Sequence, residues 1–516
     1  MNNHNFLVEV LKESPVFKTL EKNVKPGRTV CASGLSTINK SNIIYALCRL
    51  KGVTAFCLAS DEKEAQTLCN DLSCMGLRAY VYPVRDFNFL DFQSRSHEYE
   101  HARLKVLLKL INHECDVAIA CVDAAAQLTV PRNVLEQSVI EFEEGRELSL
   151  EKATKALTLL GYERFDAVEG SGQFSLRGGI LDFFMPDSDY PVRCEFWGDE
   201  ITDLSYFDIE TQRRFKKADK ITLSPSTEIV IEDRVALADK IEHKAKLLRS
   251  KNSAKAKEKL FSEAELIRSG AMIANADKFI NQIYDKPESL FDYLDRNTLV
   301  FASEFTAIQE RGKSMDFISN ETLMQGFEDG TLCRGFDRFA LTFNECTEFL
   351  QSHGTIVLEN FVHGSMPIKL SEIISFSTKQ LSAWGGSYKQ LKENVDGLFT
   401  PERKGDIFAG TERAAKNLCD TFNADGINAV YSEGADKISK GELLVMQGAL
   451  SAGFEYPSQK FFAITYSQVS YRPEKSKKKK KKTGQEIYSL SELAPGDYVV
   501  HYVHGIGVFG GIRIFD

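Results

Sequence analysis

The sequence has 516 residues, 43% of them hydrophobic, which is enough chain for several domains with separate cores. Its apolar runs, such as 117–121 and 299–302, are far shorter than the ~20 residues of a membrane-spanning helix, and its polar first residues are unlike a secretory signal. We therefore expect a multi-domain cytoplasmic protein without membrane contact. The formal net charge is -9, and this excess of acidic residues disfavours tight binding of duplex nucleic acid by the folded part.

Eleven cysteines are scattered along the chain without any Cys-x-x-Cys pair. Most of them lie in apolar stretches, where free cysteines are commonly buried. A zinc site needs clustered Cys and His ligands, and the nine histidines do not supply them. We therefore expect reduced core cysteines and no bound metal.

Strands and helices alternate in the first quarter of the chain. The predicted strands are 29–32, 53–58, 79–82 and 117–121, and the predicted helices start at Asn39, Asp61 and His97. Asp61 is a typical capping residue and Gly76 a typical stop signal for the helix between them. This alternation predicts a parallel sheet, so 1–130 is the first part of an α/β domain.

The pattern changes in 131–215. A short helix that contains Leu150 and Leu157 precedes several strands with turn signals between them, which predicts an α+β domain. The stretch 236–271 is strongly charged with little apolar stripe, and one long helix is predicted there. Buried strands then return at 298–302 and 355–358, so 216–375 is predicted to complete the interrupted first sheet.

Three further segments follow. Strand and helix patterns predict a small α/β domain at 385–470, for which the sequence indicates no role. Residues 471–485 hold eight of the 64 basic residues and no apolar core, which is typical of a solvated linker. Residues 486–516 are β-rich and bent by glycines, as in small barrels, and they stop in mid-pattern. We therefore expect a piece of a longer protein.

The segment from Gly34 to Ser41 lies between a strand and a helix and matches the phosphate-binding P-loop pattern at all fixed positions except one. Asn39 stands where the second glycine lets the backbone N–H groups wrap around a phosphate. Lys40 and Ser41 alone are also compatible with an ordinary helix start. Both readings predict that this segment is not a working nucleotide site.

The predicted strand at 299–302 carries a second defect. P-loop ATPases place an Asp at the end of such a strand to hold magnesium, followed by a Glu that positions the attacking water. Here Ser303 stands at the Asp position and Glu304 at the Glu position. Without the first carboxylate the metal has no protein anchor. The two defects together predict a P-loop scaffold that has no catalytic residues.

Apolar and polar residues alternate at 173–177 and at 192–197, as in strands with one buried face. The alternation places Arg193 and Trp197 together on the outer face, with Arg177 on the same face of the neighbouring strand. A tryptophan beside arginines is typical of a protein-binding hot spot. The alternative is that another part of the chain covers Trp197.

Two long motifs carry a resemblance to known families. The segments GSGQFSLRGGILDFF at 170–184 and YPVRCEFWGDEI at 190–201 closely resemble the domain shared by the excision-repair protein UvrB and the bacterial transcription-repair coupling factors (Mfd). The segment 289–305 is similar to a helicase motif of UvrB with its first acid missing. Residues 495–507 resemble the start of the RNA-polymerase-interacting domain of the coupling factors, which UvrB lacks. The chain is thereby identified as similar to the amino-terminal half of a coupling factor.

This resemblance implies a fold and partners. Residues 1–130 and 216–375 would form a degenerate RecA-like domain, 131–215 a domain that binds UvrA through Arg177, Arg193 and Trp197, and 486–516 the start of an SH3-like barrel. The barrel residues implied to bind RNA polymerase, through its beta subunit, are Tyr498, Val499, His501, His504, Gly505 and Ile506.

The resemblance also implies a division of labour. This chain would be an adaptor without cofactors, through which polymerase stalled at DNA lesions is displaced and excision repair recruited. ATP, magnesium and double-stranded DNA would be bound mainly by a motor outside this chain. Two alternatives stay open: a working UvrB-like ATPase for damage recognition, and a nucleic-acid-binding scaffold that acts through Lys477 to Lys482.

Overall fold

The computed structural model describes residues 4–85, 97–138, 140–248, 254–270, 276–362, 366–382, 388–466, 498–501 and 505–508. The first part of the chain alternates helices and strands, as predicted. Its elements are α1 (Asn5–Lys12), α2 (Pro15–Asn23), β1 (Val30–Ser33), α3 (Thr37–Lys51), β2 (Ala55–Ala59), α4 (Glu62–Cys74), β3 (Ala79–Tyr82), α5 (Glu98–Ile111), β4 (Val117–Cys121), α6 (Val122–Ala126) and α7 (Arg132–Gln137). Asp61 caps α4, accepting a 2.7 Å hydrogen bond from the Glu64 N–H, as its sequence position predicts.

The second part is a separate α+β unit with its own apolar core. Its elements are β5 (Ile140–Glu143), α8 (Leu150–Leu159), β6 (Glu163–Arg164), β7 (Gln173–Arg177), β8 (Ile180–Phe183), β9 (Val192–Trp197), β10 (Glu200–Phe207), β11 (Arg214–Lys217) and β12 (Lys220–Leu223). The strands β11-β10-β9-β8-β7-β6 form one sheet in that order, with β6 and β7 parallel and the other neighbours antiparallel.

The third part returns to the first sheet after a helical excursion. Its elements are α9 (Arg234–Leu247), α10 (Ala254–Ser269), α11 (Ile280–Ile283), β13 (Leu299–Ser303), α12 (Phe305–Asp329), α13 (Phe343–His353) and β14 (Thr355–Leu358). The single long helix predicted for 236–271 is wrong, because α9 and α10 are two helices that pack against each other. Each has a narrow buried stripe, Leu237 and Ile241 in α9 and Leu260 and Ala264 in α10, which one helix in solvent would leave exposed.

The remaining elements are β15 (Glu372–Ser375), β16 (Lys379–Leu381), α14 (Tyr388–Leu398), β17 (Lys404–Phe408), α15 (Glu412–Ala424), β18 (Ala429–Ser432), β19 (Leu443–Met446), β20 (Gly453–Tyr456), β21 (Phe461–Thr465), β22 (Tyr498–His501) and β23 (Gly505–Val508). The sheet ordered β16-β20-β21-β17-β19-β18 belongs to the small α/β unit, and β22 pairs with β23 in an antiparallel hairpin. The rest of the predicted barrel and the basic linker at 471–485 lie outside the described residues.

The first sheet has the order β15-β1-β14-β13-β2-β4-β3, and its neighbouring strands are parallel. Its central strands β14 and β13 come from the third part of the chain and lie between β1 and β2 from the first part, so the α+β unit interrupts the sheet. Helices cover both faces, which is why these strands read as continuous apolar runs. The predicted fold class, a parallel α/β scaffold interrupted by an α+β domain and followed by a small α/β domain, is confirmed.

The small α/β unit packs against the first unit through a shared apolar core. The ring of Phe6 in α1 lies 6.2 Å from that of Phe461 in β21, and the Phe6 N–H donates to the Ala435 carbonyl. Large side chains of β20, including Phe454 and Tyr456, belong to the same core and approach α3. The two units therefore share one buried interface that covers the first turns of α3.

Ten of the eleven cysteines are buried and all eleven are free thiols. Burial raises the pKa of their thiols, for Cys31 to about 12, so these groups stay protonated at neutral pH. Among the helices that the structure describes, none combines the length and apolar character needed to cross a membrane.

Candidate functional site

The P-loop motif is present in the sequence but lacks its usual shape. Helix α3 begins at Thr37, so Asn39 lies in the first helical turn instead of in a loop. The Gly34 N–H donates to the Asn360 carbonyl and the Leu35 N–H to the Glu359 carbonyl, both at 3.1 Å. Two amides that would face a phosphate are therefore hydrogen-bonded within the protein.

Lys40 is bonded to side chains of its own chain. Its Nζ donates to Glu304 Oε1 at 2.6 Å, to Ser303 Oγ at 2.9 Å and to Glu64 Oε1 at 3.4 Å. The ammonium has three donors and its side chain is only 2% exposed, so no donor is left for a nucleotide. Ser303, at the position of the missing metal ligand, bonds lysine instead.

The carboxylate of Glu304 receives the hydrogen bonds that a nucleotide phosphate would receive in a P-loop. It has a left-handed backbone, with φ of 56°, which is rare for a residue with a side chain. Its Oε1 accepts both the Lys40 ammonium and the Asn360 N–H, the latter at 3.0 Å. A lysine together with a backbone amide is the donor set that a P-loop offers to phosphate, and here a carboxylate receives it.

A third carboxylate lies beside this cluster. Glu359 is fully buried, and its Oε1 accepts the Phe305 N–H at 2.8 Å. Burial raises the pKa of Glu359 to about 7, and the nearby charge of Glu304 acts in the same direction. Glu64 and Glu304 already offset the charge of the Lys40 ammonium, so the cluster has no net positive charge with which to attract a triphosphate.

The serine of the motif also has a different partner. In P-loops this hydroxyl binds magnesium, whereas Ser41 Oγ donates to Asp71 Oδ2 at 3.2 Å. Asp71 also accepts the N–H and the hydroxyl of Ser451, both at 2.7 Å, from the small α/β unit. Burial raises the pKa of Asp71 to about 6. The residues present therefore do not fit ATP and magnesium.

The second candidate site is the outer face of the α+β sheet. Val192, Cys194 and Phe196 are buried along β9, while Trp197 at its end is 82% exposed. The predicted alternation is confirmed, and the alternative that another part of the described chain covers Trp197 is wrong. Arg177 on β7 is half-exposed, with one hydrogen bond of 2.9 Å to Asp182.

Arg193 lies on this outer face, but neighbouring side chains cover most of its guanidinium. Its side chain is only 13% exposed, its Nε donates to Asp182 Oδ1 at 2.7 Å and its Nη2 donates to Asp182 Oδ2 at 2.8 Å. The guanidinium also bonds Gln212 and covers the ring of Phe207, 4.4 Å from its centre. Arg193 therefore shares the outer face with Trp197, as the alternation predicts, but its guanidinium is largely covered because it pairs with the buried carboxylate of Asp182.

Ser175, a polar position of the alternation at 173–177, is also buried and donates to the Asp166 carbonyl at 2.8 Å. Two residues that organise the sites were missed in the sequence, Asp71 and Asp182. Both are acids within otherwise apolar strand or helix faces, and that pattern is the signal that identifies them. A further exposed aromatic pair, Tyr190 and Phe215, has its ring centres 4.7 Å apart.

The residues predicted to bind polymerase are only partly described. Tyr498, Val499 and His501 belong to β22, Gly505 and Ile506 belong to β23, and the two strands pair through His501 and Gly505. His504 lies outside the described residues. Within the described ranges, no group of three or more His, Cys, Asp and Glu side chains is arranged to hold a metal ion.

Comparisons with known proteins agree with the motifs. A family model described as the UvrB interaction domain matches residues 140–229. A transcription-repair-coupling factor of Bacillus subtilis (strain 168) is 27% identical over 522 aligned positions, covering 98% of this chain and 44% of that protein. Proteins of the same name from Staphylococcus epidermidis (strain ATCC 12228 / FDA PCI 1200) and Staphylococcus aureus (strain USA300) are 26% and 22% identical, covering 85% and 99% of this chain. The chain spans less than half the length of these relatives.

Proposed function

We propose that this chain, which resembles the transcription-repair coupling factors along nearly its whole length, is an adaptor that binds UvrA and hydrolyses no ATP. The observation that carries this proposal is the exposure of Trp197, at 82%, on a domain that matches the UvrB interaction domain. An indole that protrudes from a sheet into solvent has few intramolecular contacts to lose and a large apolar area to bury in a complex.

The surface around Trp197 has the composition of a binding hot spot. Arg177 supplies a half-exposed guanidinium on the same sheet face, and Arg193 fixes the strands between them through Asp182. The resemblance implies UvrA binding through Arg177, Arg193 and Trp197. We assign direct contact with UvrA to Arg177 and Trp197. Arg193 is the positioning residue that keeps β8 and β9 in register behind them.

The absence of ATPase activity is inferred from the bonded state of Lys40. Its ammonium is held by Glu304, Ser303 and Glu64, and two amides of the loop are bonded to carbonyl groups. The same contacts disfavour the alternative of a working UvrB-like ATPase.

We extend the proposal to the longer protein on the strength of the resemblance. The hairpin β22–β23 is the start of a barrel that binds RNA polymerase, and a motor elsewhere in the protein binds ATP, magnesium and double-stranded DNA. In this scheme the motor displaces stalled polymerase and the α+β domain recruits excision repair.

The test measures the affinity of the chain for purified UvrA by biolayer interferometry. Trp197→Ala should weaken binding at least about 30-fold, as expected for a central hot-spot residue, without lowering the melting temperature. Leu247→Ala, at an apolar residue 60% exposed on α9, is the matched control and should bind like the wild type. Equal affinity of the Trp197→Ala variant and the wild type would exclude this surface as the UvrA site.

A further inference from the structure

Helix α12 has a supported half and an unsupported half. Near its start Phe305, Ile308 and Gly312 are buried, and Gly312 is so close to Phe343 that an added Cβ would lie 2.1 Å from its ring. From Phe317 to Gln325 every residue except the partly covered Leu323 is exposed. The second half of the helix therefore extends from the domain with little tertiary support.

This unsupported half carries large apolar side chains in solvent. Phe317 is 62% exposed, and Ile318 and Met324 are each 61% exposed. A helical segment of this length without packing is marginal in water, and burying each such side chain is worth about 1.5–3 kcal/mol. A segment with this composition gains stability when another surface covers it.

Helical spacing defines one outward stripe. Phe317, Glu321 and Met324 follow each other at i, i+4 and i+7, and Glu328 continues the row by one more turn. The row lies opposite the buried side of the helix, which includes Ile308 and Gly326. We call Phe317, Glu321, Met324 and Glu328 the α12 stripe, which the exposed Ile318 flanks.

The charges of the stripe select its partner. Among the residues that the structure describes, neither Glu321 nor Glu328 has an ion pair, and Lys313 is the one basic residue between Gly312 and Asp329. Buried between apolar contacts, an unpaired carboxylate would cost several kcal/mol, so the covering surface has to bring cations. An alternation of apolar and acidic positions on a helix is complementary to a helix with apolar and basic positions.

We propose that the α12 stripe binds a basic amphipathic helix of a partner protein, at a surface separate from the one around Trp197. A second copy of this chain fits less well. Two antiparallel α12 helices centred on Glu321 would bring the two Glu321 carboxylates against each other, and like charges in such a contact are destabilising.

The proposal is tested on the full chain with a fluorescent synthetic helix that carries leucines on one face and lysines on the other. Fluorescence anisotropy should show micromolar binding, weakened at least about tenfold by Phe317→Ser combined with Met324→Ser and also by Glu321→Gln combined with Glu328→Gln. Leu247→Ser, at a similarly exposed apolar residue of α9, should leave the affinity unchanged. Amides 317–325 should exchange hydrogen more slowly when the peptide is bound.

Three results would overturn the proposal. The first is failure of the wild type to bind the lysine peptide, and the second is equal binding by the wild type and the Phe317→Ser, Met324→Ser variant. The third is a dimer of the wild type in light scattering that this double variant abolishes, which would assign the stripe to self-association. All substituted side chains are exposed, so unchanged melting temperatures verify that each variant is folded.

Discussion

Lys40 Nζ lies 2.6 Å from Glu304 Oε1, and this pair links the start of helix α3 to the end of strand β13. In a P-loop ATPase the same two positions act on opposite sides of a nucleotide, one holding phosphate and one positioning water. Here they contact each other directly, so the groups that would perform catalysis contribute to stability instead.

We first predict that Lys40 is structural. Lys40→Met removes the cation that compensates Glu304 and Glu64, and should lower the unfolding free energy by about 3–5 kcal/mol. Lys63→Met, at an exposed lysine of α4, is the control and should change stability by less than about 0.5 kcal/mol. Urea unfolding followed by circular dichroism measures both variants.

The same wild-type protein should give no heat of binding when titrated with Mg-ATP in a calorimeter. Micromolar binding that Lys40→Met abolishes would contradict the prediction, and would favour the UvrB-like ATPase.

Substitutions of the two arginines of the α+β sheet should affect different properties, Arg193 the stability of the fold and Arg177 the affinity for UvrA. Arg193→Ala leaves the buried carboxylate of Asp182 without its main cation, and should lower the unfolding free energy by about 3 kcal/mol. Arg177→Ala removes a half-exposed partner and should change stability by less than about 1 kcal/mol while weakening UvrA binding. Melting curves and UvrA affinities of both variants decide the assignment, which is wrong if Arg193→Ala melts like the wild type.

Asp71 links Ser41 of the P-loop helix to Ser451 of the small α/β unit, and its contribution to the unfolding free energy should depend on pH. Burial raises the pKa of Asp71 from 3.8 to about 6, so the folded protein binds this proton more tightly than the unfolded chain. The resulting stabilisation is complete below pH 3.8 and is lost as the pH rises to about 6.

Asp71→Asn removes this titration. The unfolding free energy of the wild type minus that of Asp71→Asn should therefore fall, by up to about 3 kcal/mol, between about pH 4 and about pH 7. Asp189→Asn, at an acid whose side chain is 81% exposed, serves as the control with a flat difference. A flat difference for Asp71→Asn as well would show that this carboxyl titrates normally.

Gly34 should tolerate no side chain. An added Cβ would lie 2.2 Å from the Phe376 carbonyl oxygen, and φ is 79°, so both the contact and the backbone oppose alanine. Gly52 has a similar φ of 63° and open space around the Cβ position. Gly52→Ala should cost about 1 kcal/mol and Gly34→Ala at least about 3 kcal/mol. Equal losses of unfolding free energy would mean that the loop adjusts.

Local patterns predicted some of this structure well. The alternation of strands and helices from 29 to 121 depends on side-chain periods of a few residues, and the structure has the same succession. The outward direction of Trp197 follows from the two-residue period of β9 in the same way. The helical hairpin at α9 and α10 was missed because its two short stripes make sense only when they face each other.

The sequence by itself determined the parallel scaffold, its interruption by an α+β domain, the resemblance to coupling factors and the loss of the P-loop glycine at Asn39. Only the tertiary structure decided that Lys40 meets Glu304, that Asp182 buries Arg193 and that α12 leaves Phe317 exposed. The reason is distance along the chain. Periodicity and motifs depend on neighbouring residues, whereas the partner of a charged group or an apolar face is chosen by how remote segments pack.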